Sequence, residues 1–291
     1  MILALINNRG GVAKTTTSVS LAGALAGENQ RVLLVDMDSQ AAASLSLGLR
    51  RAELKPSIAD VLLHNEPIRN VIRKTRVTGL DLIVGSNELA GADVAMASML
   101  AREAKLKKAF DIILDDYASI IIDCPPSLSL LSINALLAAD YYIVPVTLQY
   151  LTLGGLASLV QEVNSLCDCH SGSVAHLMGF VLTMVDYRNR TTANLINSVR
   201  ANWKDNIFKT EVRVNVKLAE APTYGQTIFE YAPKSTGAKS YLQLAKEVVQ
   251  RWNSARVEED EEVSVATQPS PPQEALTAIK PEMITLQSSS A

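Results

Sequence analysis

Along the chain, short apolar, β-rich runs alternate with longer stretches in which apolar positions recur every three or four residues. The runs fall at 2–6, 32–35, 80–84, 120–122, 141–146 and 178–184, and the helical spacing is clearest at 16–26, 130–138 and 153–166. Strands that are nearly continuous in apolar residues are buried on both faces, and strands separated by helices pair in parallel through crossovers. The expected fold class is α/β, a doubly wound, mostly parallel sheet flanked by helices. Ligands of such sheets gather at the carboxyl ends of the strands. The loops after the strands at 2, 32 and 120 are therefore where chemistry is expected.

The pattern stops near residue 253. From 254 onward the chain reads SARVEEDEEVSVATQPSPPQEALTAIKPEMITLQSSSA, acidic and rich in Pro and Ser. So little apolar surface does not offset the entropy of ordering the segment. The expected organisation is one domain over 1–253 and a disordered tail over 254–291. The rest of the composition changes little: 291 residues, 48% apolar, with a net charge of −3, fit one large domain whose attraction to nucleic acid must come from local clustering of charge. Cys124, Cys167 and Cys169 make an odd set with no disulfide framework. The opening apolar run is too short for a signal peptide, and Lys, Arg, Asp or Gly interrupts every later one. The expected location is the cytoplasm.

Three motifs fall at the strand ends. After the first strand comes Asn8-Arg9-Gly10-Gly11-Val12-Ala13-Lys14-Thr15-Thr16, leading straight into a helix. A glycine-bearing turn there aims backbone N–H groups and the helix dipole at an anion, while Lys adds charge and a Thr hydroxyl a magnesium ligand. The strict pattern G-x-x-x-x-G-K-[ST] is not met, because Asn8 and Ala13 occupy its two glycine positions. A plain glycine turn before a Thr-rich helix start is the alternative reading of the loop alone. The other two motifs weigh against it: the second strand ends in Asp36-Met37-Asp38 and the one at 120 in Asp123-Cys124-Pro125-Pro126. Acidic residues at this edge are the expected second anchor for magnesium in a phosphate-loop enzyme, although each alone is also an ordinary turn residue.

Taken in order, R-G-G-V-A-K-T-T, D-M-D-S-Q, I-I-I-D-C-P-P-S, N-V-K-L-A-E-A-P-T-Y-G and P-K-S-T-G-A-K-S-Y resemble the ParA/Soj partition ATPases, the deviant Walker group, over residues 1–251. The resemblance implies a weak ATPase with ATP and Mg²⁺ as cofactors, a homodimer sandwiching two nucleotides, nonspecific DNA binding in the ATP state and a ParB-like adaptor that stimulates hydrolysis. It implies that Gly10, Gly11, Val12, Ala13, Lys14, Thr15 and Thr16 cradle the phosphates. Lys14 neutralises them, Thr15 ligates Mg²⁺, Asp123 holds the ion through water, and Asp38, counted with the metal residues, positions the attacking water. The family's signature lysine falls at Arg9, which would reach the partner subunit's phosphates, with Gly10 and Gly11 at the dimer face.

Five positions depart from the family pattern. Arg9 replaces Lys, exchanging a compact ammonium for a planar fork. Ala13 stands in place of Gly, so its Cβ crowds the phosphate if the backbone requires positive φ. Turnover is expected to be slow or impaired at these two positions. Ser39 replaces Pro and should loosen the segment after Asp38. Arg213-Val214 replaces Pro-Arg where family members enclose the adenine.

The stretch 186–251 carries eleven Lys or Arg against six Asp or Glu. Clustered on one face, such charges bind the phosphate backbone with strong salt dependence; dispersed, they are ordinary surface decoration. With the resemblance, Lys217 matches a family Arg implicated in DNA contact, and Arg200 lies on the preceding helix in a comparable place. Cys167-Asp168-Cys169-His170 has no second ligand pair at zinc spacing and reads as a polar helix end. Cys124 reads as packing, as do Trp203 and Trp252, and His64 and His176 suggest nothing catalytic. Alternatives of the same chemistry are a ParA-like ATPase that positions a protein cargo and a MinD-like ATPase cycling on a membrane. The latter needs a basic amphipathic C-terminus, whereas 258–262 is Glu-Glu-Asp-Glu-Glu, so no stable membrane binding is expected. A nucleotide-binding scaffold without turnover, and a reductase related to nitrogenase iron protein, complete the alternatives; the reductase needs cluster cysteines that Cys124 alone does not supply.

Overall fold

The computed structural model describes residues 1–28, 30–150, 153–168, 175–189 and 191–266. Met1–Arg251 forms one compact unit and Trp252–Ala291 a second. In the first, eight strands form one sheet: β1 (Ile2–Leu5), β2 (Val32–Asp36), β3 (Ile72–Lys74), β4 (Leu80–Ile83), β5 (Ser119–Asp123), β6 (Tyr141–Thr147), β7 (His176–Val185) and β8 (Ile207–Arg213). Their order is β3-β4-β2-β5-β1-β6-β7-β8, parallel throughout except where β3 meets β4. This is the expected doubly wound sheet.

Six strands lie where the apolar runs placed them. Every residue of β1, β2 and β5 is buried, as central strands covered by helices on both sides must be. The two strands absent from the sequence reading are the edges. Ile72–Lys74 is only three residues long, and Ile207–Arg213 alternates, its Lys209 and Arg213 exposed and Phe208, Thr210 and Val212 buried. A one-sided edge strand carrying charges on its open face reads as a polar stretch when continuous burial is the signal sought.

Chain direction reverses at the middle of the sheet. From β1 the chain passes beyond β5 to reach β2, whereas from β5 it passes over β1 to reach β6. A crevice at the carboxyl ends opens at such a switch point, and β1, β2 and β5 end there together, with Leu5 paired to Asp123 and Asp123 to Asp36.

The helix Lys14–Ala26 follows β1 and packs into this core through Leu21, Ala22 and Leu25. At Gly23 an added Cβ would lie 3.3 Å from the Phe229 ring, so the small residue lets the 227–231 segment close over the helix. The last helix, Thr236–Ala266, runs past the expected start of the tail at 254. Leu244, Ala245 and Val248 are buried on it, and helical propagation carries the backbone on through the acidic run. Residues 267–291 lie outside the described residues.

Candidate functional site

The loop between β1 and the helix Lys14–Ala26 is held by its own carbonyls. Thr183 of β7 donates its hydroxyl to the Val12 carbonyl at 3.0 Å, and both the backbone N–H and the hydroxyl of Thr17 donate to the Ala13 carbonyl, at 2.9 and 2.8 Å. The Thr17 hydroxyl also meets the buried Tyr241 hydroxyl at 3.0 Å. Farther out, Asn7 donates to the Pro145 carbonyl and accepts from the Arg9 backbone N–H, and Asn8 reaches Glu162. Nothing lies within 4 Å of where a Cβ on Gly10 or Gly11 would sit, so the outer lip of the loop is open. Arg9 is on this exposed lip.

Ala13 caps the helix at φ 60° and ψ 30°. An L-residue in this left-handed region costs about 1–2 kcal/mol, and the doubly bonded carbonyl keeps it there. Ala41, preceding the helix Ala42–Ser46 after Asp38, adopts the same conformation at φ 54°. Two alanines thus take glycine-like turns on the two sides of the site. The first was legible as a departure from the loop pattern. The second carried no signal in the sequence.

Beneath the loop lies a buried cluster. Lys14, only 7% exposed, donates from Nζ to the Cys124 carbonyl and sits 4.0 Å from the fully buried Asp123 carboxylate. Asp123 accepts from the Thr15 hydroxyl at 2.8 Å and the Ser18 hydroxyl at 2.7 Å. Ser18, one turn after Lys14, was not singled out from the sequence; its spacing from Lys14 is the signal that could have found it. Asp36 is satisfied by Ser44, whose N–H and hydroxyl donate at 2.8 and 2.7 Å, and by the Asp38 N–H. Asp38 is itself nearly buried and accepts from the Gln40 N–H at 2.9 Å.

The electrostatics follow from burial. Desolvation, with the Asp123 charge second, pushes the Asp36 carboxyl up to about 7. Burial also raises Asp123, against the lowering pull of Lys14, Ser18 and Thr15, and Asp38 adds a further upward push. Two neighbouring buried carboxyls with one lysine, beside Asp123, form a site short of positive charge. The donor chemistry fits Mg²⁺: a hard cation accepts a Thr hydroxyl and a carboxylate reached directly or through water, and phosphate oxygens complete its shell. Among the described residues no group of three or more His, Cys, Asp or Glu is placed to hold a metal. Burial raises the Cys124 thiol and leaves it unreactive.

The comparisons agree with this geometry. Residues 1–174 match the AAA domain family. The chain is 42% identical over 247 residues to the sporulation initiation inhibitor protein Soj of Bacillus subtilis, covering 85% of this chain and 97% of that protein. The chain belongs to the ParA/Soj family of partitioning ATPases. The chromosome partitioning protein ParA of Caulobacter vibrioides is 36% identical over 252 residues, or 86% of this chain and 94% of its own. Among solved structures, cobyrinic acid a,c-diamide synthase from Mycobacterium smegmatis, with a bound ATP analog and magnesium, superposes with a TM-score of 0.75 at 30% identity, over 87% of this chain and 96% of that one. The cell division ATPase MinD of Pyrococcus furiosus, at TM-score 0.68 and 23% identity over 86% of this chain and 98% of its own, shares the ParA/Soj chain's fold.

The residues expected to touch DNA lie apart from this cluster and are engaged locally. On the helix Thr191–Trp203, Arg200 donates to the Phe208 and Lys209 carbonyls and pairs with Glu211 at 2.9 Å. Lys217, on the helix Val216–Glu220, is about half exposed and pairs with Glu220 at 2.8 Å, its ammonium 5.5 Å from the Tyr231 ring centroid. Arg251, counted in the basic stretch, donates to the Met178, Asp205 and Ile207 carbonyls. Cys169 and His170 lie outside the described residues. Among those described, no helix is long and apolar enough to cross a membrane.

Proposed function

We propose that this ParA/Soj-family chain is an ATP-driven partitioning switch. ATP with Mg²⁺ closes two copies into a dimer, the closed form binds duplex DNA without sequence preference, and hydrolysis stimulated by a ParB-like adaptor releases it. The observation that carries the reading is the buried Lys14–Asp123 cluster, with Thr15 and Ser18 on the same carboxylate, under an open glycine lip at the sheet's switch point. A structure so organised can neutralise a polyphosphate and exclude water from its reacting end.

In this reading Gly10 to Thr16 cradle the phosphates, Lys14 neutralises them, and Thr15 with Asp123 holds Mg²⁺. The bound ion supplies charge neutralisation at the transferred phosphoryl group. Asp38 orients the attacking water, and its own position is fixed by the Gln40 N–H. Arg9 extends from the open lip toward the partner subunit, and the absence of neighbours around Gly10 and Gly11 leaves room for that partner to approach. Ala13, at positive φ, crowds the phosphate and slows turnover. Lys217 and Arg200 contribute to a DNA face whose affinity is modest, because Glu220 and Glu211 already offset them. The chain works in the cytoplasm and associates with the nucleoid in the ATP state.

The test is ATP hydrolysis by wild type and Lys14→Ala, with and without duplex DNA of random sequence. Slow, Lys14-dependent turnover that DNA modulates is the expected result; turnover that survives Lys14→Ala would sink the assignment.

A further inference from the structure

Gly48 and Gly225, from segments far apart in sequence, meet backbone to backbone. A Cβ on Gly225 would lie 2.3 Å from the Gly48 Cα, and one on Gly48 would lie 3.2 Å from the Gly225 carbonyl oxygen. Both glycines have positive φ, 91° and 59°, so neither position suits a residue with a side chain.

Each side of this contact leads to a different functional region. Gly48 ends the segment that begins at Asp36 and Asp38. The helix Ala42–Ser46 lies between, tied to the Asp36 carboxylate through the backbone and hydroxyl of Ser44. The Ser44 hydroxyl accepts in turn from the Gly85 N–H at 3.2 Å, so the helix is anchored at its carboxylate end. Gly225 closes the turn Ala221–Tyr224, which follows the Lys217 helix, and its N–H donates to the Pro222 carbonyl at 2.9 Å. Within that turn, Tyr224 stacks on Tyr231 with ring centroids 5.0 Å apart, and the Lys217 ammonium lies over the Tyr231 ring. A cavity of about 20 Å³ next to the contact is lined by Thr16 of the phosphate loop's helix, by Ser46, and by Leu218 and Gln226. Three elements therefore converge here, with room for little more than one water.

We infer that the Gly48–Gly225 contact is a mechanical joint that couples the Asp36–Asp38 segment to the Lys217–Tyr231 face. Two backbones in contact have no side chain to absorb a displacement, so movement of one segment shifts the other or opens the contact. Close-packed joints of this kind convert sub-ångström shifts at a ligand into discrete rearrangements elsewhere. Loss or gain of charge beside Asp36 and Asp38 pulls on Ser44 and the 42–46 helix, and the joint delivers that displacement to the turn behind Lys217. The inference rests on the reading above for what the second face binds, but the coupling itself requires only that nucleotide occupies the first.

The test is hydrogen exchange on the full chain with Mg²⁺ and a nonhydrolysable ATP analogue against Mg²⁺ and ADP, with duplex DNA affinity measured in the same two states. In wild type, exchange at 42–48 and at 217–228 should change together. In Gly48→Ala, protection of 10–18 by the analogue should persist, the response at 217–228 should vanish, and the preference of DNA for the ATP state should fall by about tenfold or more. The joint is refuted if 217–228 responds equally in Gly48→Ala, or fails to respond in wild type while 10–18 is protected. If Gly48→Ala does not fold, a wild type in which 42–48 responds to nucleotide and 217–228 does not still refutes the joint. Coupled exchange without any nucleotide-dependent DNA binding would uphold the joint and overturn the DNA reading instead.

Discussion

The nucleotide side and the basic side of this protein use charge in opposite ways. At the carboxyl ends of β1, β2 and β5, Lys14 lies 4.0 Å from Asp123 and Asp36 pairs with Asp123 across the strands; all three are buried, and the site carries more carboxyl than ammonium. Such an arrangement is held in readiness for a cation and a polyphosphate, which complete it. On the other side, Arg200, Lys217 and Arg251 are matched by local partners: Glu211, Glu220 and Glu247 with a set of backbone carbonyls. Arg200 and Arg251 are satisfied before any ligand arrives, whereas Lys217, with one surface partner, stays about half exposed. A count of basic residues therefore overstates the free charge available to DNA, whereas a count of acidic residues in the site understates what burial does to them.

Substitutions that sharpen this contrast have graded effects. The largest is expected at Lys14→Ala, which removes the charge under the loop: turnover should fall by roughly 1,000-fold, measured under saturating ATP. Next is Gly85→Ala, whose Cβ would lie 2.5 Å from the Asp38 carbonyl oxygen and 3.0 Å from the Asp36 carboxylate. Overpacking there should cost about 3 kcal/mol in chemical denaturation; a loss well under 1 kcal/mol would mean that the Asp36–Asp38 segment is loosely held.

Arg251→Ala and Lys217→Ala form a pair. The first loses three carbonyl partners and the contact with Phe208, 4.1 Å from its ring centroid. It should destabilise the fold by about 2 kcal/mol and leave DNA affinity per folded molecule unchanged. The second should leave stability nearly unchanged, as expected of a solvent-exposed ion pair, but make the slope of log affinity against log salt shallower by about 0.9. If the two exchanged behaviours, the division between structural and available charge would be wrong. The one substitution expected to raise stability is Ala13→Gly. Relief of the left-handed conformation, about 1–2 kcal/mol, is offset by about 0.4–1 kcal/mol of extra freedom in the unfolded chain. Stability should rise by between about 0 and 1.6 kcal/mol, while turnover should rise if the Ala13 Cβ crowds the phosphate.

What could be read from the sequence follows the same division. The central strands were legible because burial on both faces leaves only apolar residues, as in Val32–Val35 and Ile120–Ile122. Lys14, Thr15, Asp38 and Asp123 were legible because strand ends and a loop pattern put them at one edge. Ser18 gained its place only through packing, by facing Asp123 from the helix; Asp36 was legible as a strand-end carboxylate, but its full burial and its pairing with Asp123 across β2 and β5 were not. The edge strand β8 was hidden by its charges, and the internal use of Arg200 and Arg251 is set by contacts with β7 and β8 that no local pattern encodes. The glycine pair Gly48 and Gly225 is a tertiary fact, since neither glycine is marked in its own segment by anything beyond an ordinary turn.

The central claim is that nucleotide state governs DNA binding, and its most direct test is duplex DNA affinity in Mg²⁺-ATP and in Mg²⁺-ADP at low salt, for wild type and Lys14→Ala. The account predicts that wild type holds DNA in ATP and releases it in ADP, with Lys14→Ala binding poorly in both. Equal affinity of the wild type in the two nucleotides would contradict it.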